Sequence, residues 1–170
     1  MAPIGIGIVP RASPCRPQQK RAGRFGSQGG YCGYNQRMSD DEAIAAYLQK
    51  ADESLAGAES EFAVGRYNNC ANRAYYACFQ AAIAALIRVG IGPSGRDLQW
   101  RHDAVQAQFA EQLINRRKRY PAAMRTTLES GAALRATADY GIRQVGAIKA
   151  QRTLRQSRDF VESVRRGEPR

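Results

Sequence analysis

The stretch NNCANRAYYACFQAAIAALIRVG, residues 68–90, constrains the fold more than any other part of the chain. Ala71, Ala74, Tyr75, Cys78, Ala82, Ile83 and Leu86 recur at steps of three and four, and further alanines fill much of the remaining circumference. A helix that is apolar around most of its surface has to be covered from several sides, so it predicts a central helix. The flanking sequence supplies the cover. Ile44, Tyr47, Leu48, Ala51, Leu55, Ala58 and Phe62 keep helical spacing up to about Gly65. Val105, Phe109, Leu113 and Ile114 predict a short third helix from about His102. Met124, Leu128, Ala132, Leu134, Arg135 and Ala138 predict a fourth, which ends at Gly141. Ala150, Leu154, Phe160, Val161 and Val164 predict a fifth over about residues 147–166. No strand alternation and no internal repeat is present. The expected fold is all-α, an antiparallel up-and-down bundle of four to five helices.

The boundaries have chemical causes. Ser39 and Glu42 form the S-x-x-E pattern of a capping box ahead of the first helix. GIGPSGRDLQW, residues 90–100, breaks every period and reads as a loop. Pro121, after NRRKRY, suits the first turn of the fourth helix.

Charge divides the chain in two. Of 26 Lys and Arg residues, six lie in residues 1–37, where there is no acid. That segment also holds four of the seven prolines and seven of the sixteen glycines. Such a composition cannot bury enough apolar surface to offset its ordering entropy, so residues 1–37 are expected to be a disordered basic tail. A transit peptide and a nucleic-acid-binding arm are the functional readings of this tail. The favoured one is an overextended start, with Met38 opening a helical domain over residues 38–170. From Met38 on, 20 basic residues face 15 acidic ones, a net of +5. This modest excess is compatible with a polyanionic partner without requiring one.

Other classes find little support. No apolar run is long enough to span a membrane, and no signal peptide is evident, so a cytoplasmic location is expected. Cys70 and Cys78 lie two helical turns apart, and both are expected to be reduced and buried. With His102 as the only histidine, no Cys–His set has zinc spacing, and no cofactor is expected. The glycines of GIGPSGRD follow a helix and lack the lysine and hydroxyl of a phosphate loop.

Two stretches carry candidate chemistry. In RATADYG, residues 135–141, Arg135 and Asp139 are about 40° apart on a helix and can pair, while Tyr140 falls roughly 140° away. Such a pair is most often a surface ion pair; the functional alternative is a site. Arg116, Arg117, Lys118 and Arg119 form the densest basic run, with Tyr120 following as a stacking face for a base. The alternative is a solvated turn at a helix C-terminus, where cations favour the dipole.

Taken together, YLQKADESLAGAESEFAVGRYNNCANRAYYACFQAAIAALI, HDAVQAQF, LRATADYG and FVESVRR resemble the HEPN domain, most closely its small stand-alone bacterial members. The resemblance covers roughly Tyr47 to Arg166. It implies a four- or five-helix bundle that forms a homodimer. It also implies a role in a toxin–antitoxin or defence system, often as a metal-independent endoribonuclease encoded beside a minimal nucleotidyltransferase antitoxin. Active members place an Arg, four to six residues and a His on a late helix, and the two copies face one cleft. The His moves a proton as the RNA 2′-hydroxyl attacks phosphorus, and the Arg stabilises the phosphorane charge. Here Arg135 matches the arginine, but the three possible histidine positions hold Tyr140, Gly141 and Ile142. The expected catalytic set is therefore a variant one of Arg135, Asp139, Tyr140 and His102. The other class left open is a non-catalytic module that binds RNA, a nucleotide or a partner nucleotidyltransferase. The resemblance further implies Tyr140 as an acceptor of nucleotide transfer.

Overall fold

A computed structural model describes residues 39–93 and 99–167. The expectations for residues 1–37 and for a start at Met38 lie outside the described residues. Among these the regular structure is all helical: α1 Asp40–Ala63, α2 Tyr67–Ile87, α3 His102–Gln108, a π-helical segment Phe109–Arg116 continuing α3, α4 Ala123–Tyr140 and α5 Ala147–Arg166. The predicted all-α bundle is the observed one.

α1 begins at the capping box read from the sequence. The Ser39 hydroxyl accepts from Glu42 N–H at 3.2 Å, and Glu42 Oε2 accepts from Ser39 N–H at 2.8 Å. The chain turns into α2 through Gly65, whose φ of +76° lies in the region open to glycine. α2 packs against every other helix, as its all-round apolar surface predicts. Ala71, Ala74, Ala77, Ala81, Ala82, Ala84 and Ala85 are all buried on α2, and Ala51 and Ala58 meet it from α1. Small side chains on both helices let their axes approach closely.

The core falls into two clusters. The larger gathers Tyr75, Phe79, Ile83, Phe109, Leu113 and Phe160 in the middle of the bundle; the smaller joins Ala58, Cys70, Ala74, Val145 and Leu154 near the α4–α5 corner. Cys70 and Cys78 are both free and buried, one in each cluster. Burial pushes the Cys70 thiol up to about 11, with Glu61 adding to it, and pushes Cys78 up to about 12 against a hydrogen bond with Ser157. Neither is a reactive thiolate.

Three expectations need correction. α4 begins at Ala123, and Pro121 sits in the preceding turn, where its carbonyl accepts from Met124 N–H at 3.0 Å. The third helix is α only as far as Gln108; its continuation is wound as a π-helix, and Arg117 N–H reaches back five residues to Gln112 O. Phe109, Leu113 and Ile114 remain its buried residues. Tyr120 offers no stacking face: it is buried, with its ring stacked on Phe109 at 5.4 Å between centroids.

Candidate functional site

The sequence leaves His102 apart from RATADYG, and the fold brings them to one cluster. α4 runs antiparallel to α2, and two asparagines of α2 hold it there. Asn68 Oδ1 accepts from Val145 N–H at 2.8 Å, and Asn72 Nδ2 donates to Asp139 Oδ1 at 2.8 Å. These contacts set Arg135 over the aromatic pair one turn further along α2. Its guanidinium carbon lies 5.3 Å from the Tyr76 ring centroid and 5.9 Å from that of Tyr75, within cation–π range. The predicted pair exists, with Arg135 Nε 3.1 Å from Asp139 Oδ2. The N–H points off that line, so the contact is one of charge, and Nε is buried without an aligned acceptor. The two side chains are only 24% and 26% exposed, which sets this pair apart from the more solvated ones of the bundle surface.

α3 brings His102 to the same aromatic group. Its ring lies 4.2 Å from Phe79, 5.5 Å from Tyr75 and 5.7 Å from Tyr76 between centroids. Gln106, one turn along α3, donates from Nε2 to the Tyr75 hydroxyl oxygen at 3.3 Å, and that hydroxyl stands 2.9 Å from His102 Nδ1. The hydroxyl oxygen has a second lone pair beside the one that Gln106 fills, so it either donates to Nδ1, leaving the imidazole proton on Nε2, or accepts from Nδ1–H, leaving Nε2 as an acceptor. Burial pushes the Tyr75 phenol up, against smaller pulls from Gln106 and Arg135, so it keeps that proton at neutral pH. Burial first, and the Arg135 cation second, hold His102 below the ordinary histidine range, against an opposing pull from Asp103. At neutral pH the cluster therefore presents the Arg135 cation beside a neutral imidazole, whose Nε2 donates in one tautomer and accepts in the other. The guanidinium suits an anionic oxygen.

Close approach of α4 makes this arrangement possible. Gly131 is buried one turn before Arg135, and a Cβ there would stand 3.3 Å from Tyr75 Cδ2.

The remaining predicted residues lie elsewhere. Tyr140 ends α4 at 82% exposure and has no hydrogen-bond partner among the described residues. The Arg116–Arg119 run precedes α4, while Arg135 lies near its other end, roughly 20 Å away along the helix. Arg116 is paired with Glu111 at 2.9 Å, and Arg117 donates to the Gln112 side chain at 3.0 Å. Lys118 holds a φ of +50° that favours glycine. Residue-by-residue reading missed Asn68, Asn72, Tyr75, Tyr76 and Gln106 as site-building groups. A signal for three of them is visible afterwards: Asn68, Asn72 and Tyr76 are four apart on an otherwise apolar helix, a polar seam about 40° per step wide.

The site thus stands on α2, α3 and α4, with Arg135 at the late-helix position that the sequence singled out. A comparison with curated proteins finds no match. The HEPN domain model, in contrast, matches residues 44–167, from the first turns of α1 through the end of α5, and so takes in every residue of the cluster. An all-helical bundle matched over well over half of its chain leaves one assignment: this protein belongs to the HEPN domain family.

Proposed function

We propose that this protein is the RNA-targeting component of a prokaryotic toxin–antitoxin or defence system, working in the cytoplasm through the Arg135–His102 cluster. One observation carries the reading. A histidine 33 positions before Arg135, on a different helix, shares its aromatic pair and feels its charge. His102 is thus the group available to stand in for the histidine that the Arg-x4-6-His pattern lacks. In this role Arg135 holds a phosphodiester oxygen and the neutral His102 imidazole takes the proton of the attacking 2′-hydroxyl through Nε2. Cleavage, as a metal-independent endoribonuclease, has the 2′-oxygen bond to phosphorus as the bond to the 5′-oxygen breaks, the 5′-oxygen taking a proton from water and the cation offsetting the added negative charge.

A second reading is favoured by a specific observation. If the Tyr75 hydroxyl donates to Nδ1, His102 presents Nε2–H as a donor rather than a base. That suits a non-catalytic module that binds RNA, a nucleotide or a partner nucleotidyltransferase. Purified protein with labelled RNA separates the two. The nuclease reading expects metal-independent cleavage lost in both Arg135→Ala and His102→Ala; the binding reading expects no product and weaker binding in the Arg135 variant. RNA binding unchanged by either substitution would refute the site.

A homodimer is part of the proposal. The exposed apolar side chains Val64 and Ile142 both lie at the end of the bundle where α1 meets α2 and α4 meets α5. Such clustering supports a partner surface. Sedimentation at micromolar concentration should give twice the monomer mass. The exposed Tyr140 hydroxyl also supports its role as the acceptor for a minimal nucleotidyltransferase antitoxin, which Tyr140→Phe would block.

A further inference from the structure

Among the described residues, unpaired positive charge is found on α5 as well as in the Arg116–Arg119 run. α5 carries Lys149, Arg152, Arg155, Arg158, Arg165 and Arg166 against two acids, Asp159 and Glu162. Arg158 is held by Glu59 at 2.6 Å, Arg166 by Glu162 at 2.6 Å, and Arg165 by Asp52. Lys149, Arg152 and Arg155 are exposed and have no ion-pair partner among the described residues. Spaced three apart, they climb roughly 9 Å of α5 as one slowly winding stripe. In the Arg116–Arg119 run Arg116 is neutralised by Glu111 and Arg117 is tied to the uncharged Gln112, while Arg117, Lys118 and Arg119 keep their charge without an ion-pair partner among the described residues.

The stripe runs between two depressions, and Arg152 lines both. Toward α4 lies an open groove of about 450 Å³, walled by the hydroxyls of Thr126, Ser130, Thr137 and Thr153 together with Lys149 and Arg152, with no carboxylate in its lining. The α4 residues of that groove stand about 180° around the helix from Arg135, on the opposite flank. Toward α1 lies a hollow of about 730 Å³ that takes in Phe62, Ile148 and Leu154 beside Arg152 and Arg155. Its one carboxylate, Glu59, is already engaged by Arg158. Cations in a row with hydroxyls beside them suit a chain of phosphates, and a hollow of mixed lining, with Phe62, Ile148 and Leu154 among its cations, suits bases free to leave the strand. A duplex keeps its bases stacked inside and would leave the hollow empty.

We propose that Lys149, Arg152 and Arg155 form a second contact surface for single-stranded RNA, with phosphates along the stripe and bases over the Phe62–Ile148 hollow. The proposal rests on the RNA-targeting reading and adds where the strand lies: on α5, across α4 from Arg135.

The test uses the full chain, a fluorescently labelled oligouridylate and binding anisotropy over a series of NaCl concentrations, with melting curves for each variant. The triple variant Lys149→Ser, Arg152→Ser, Arg155→Ser should reduce the slope of log affinity against log salt by about 2, at ~0.7 per lost phosphate contact on a single strand. Replacing Arg116, Arg117, Lys118 and Arg119 with Ser should change the slope less. Ile148→Ser should weaken binding about threefold or more at an unchanged slope, because an apolar contact releases no counterion. An unchanged slope in the triple variant, or the whole loss falling on the turn variant, overturns the proposal while RNA targeting stands. Polyglutamate competing as well as RNA also overturns it, in favour of an acidic protein partner. Wild-type protein that binds no RNA at low salt removes both the proposal and the reading beneath it.

Discussion

Replacing Arg135 by alanine separates a structural from a functional reading of RATADYG. Three contributions are lost together. The guanidinium sits at 5.3 and 5.9 Å over two rings, worth about 0.5–2 kcal/mol at a partly desolvated site. Its charge contact with Asp139 adds at most about 1 kcal/mol, because roughly a quarter of each side chain is still exposed to solvent. Asp139 is not orphaned, since it keeps Asn72. Arg135→Ala should therefore destabilise by about 1–2 kcal/mol, a fall of roughly 3–8 °C in Tm for a domain of this size. Two further readouts report on function. The chain has one histidine, so His102 can be followed by NMR without overlap, and losing the Arg135 cation should move its titration upward toward the ordinary value. RNA affinity should fall about tenfold, equal to ~1.4 kcal/mol. Arg135→Lys should keep the depressed His102 titration while losing much of the planar contact with the tyrosines. A variant that melts lower, yet leaves the His102 midpoint and the RNA affinity where they were, would make Arg135 a structural residue and refute the site.

Three other substitutions or conditions test the same structure. Because the fold depresses His102, the unfolded chain binds more protons on acidification, so stability should decline as pH falls below about 6.5 and through the folded midpoint, and the His102→Phe variant should lack that part of the decline in a series of melts. Gly131→Ala gains about 1 kcal/mol of helix propensity but presses a Cβ to 3.3 Å from a Tyr75 ring enclosed by Tyr76, Phe79 and His102. Overpacking should win by about 1 kcal/mol, and denaturant melts showing a net gain would mean the ring gives way freely. Lys118→Gly should stabilise by up to about 1 kcal/mol, because it relieves the left-handed strain at φ +50°, and an unchanged melting midpoint would deny that strain.

Helix positions were legible in the sequence because apolar spacing and caps act locally. Ser39, Gly65 and Gly141 each mark a boundary within a residue or two. The π-helical winding of Phe109–Arg116 was not, since its buried residues at 109, 113 and 114 also satisfy an α pattern. Tyr120 misled for a related reason: its basic neighbours suggest an exposed ring, and only the packing on Phe109 shows otherwise. At the site, Arg135 and Asp139 could be paired from spacing alone. The arrival of His102 could not, because it depends on how α3 crosses α2, and no local pattern encodes that crossing.

The π-helical segment also bears on length variation in this fold. A turn closed five residues back is an α-turn carrying one residue in excess. Deleting Ala110 would let the segment relax to an α-helix, turning everything before it by about 100° and drawing it in by about 1.5 Å. His102 would then swing away from Tyr75, and the buried Val105 and Phe109 would be turned with it. The seat of the imidazole thus depends on the winding of a segment two turns downstream, whereas a histidine on the late helix itself would stand where no change of length in α3 could disturb it.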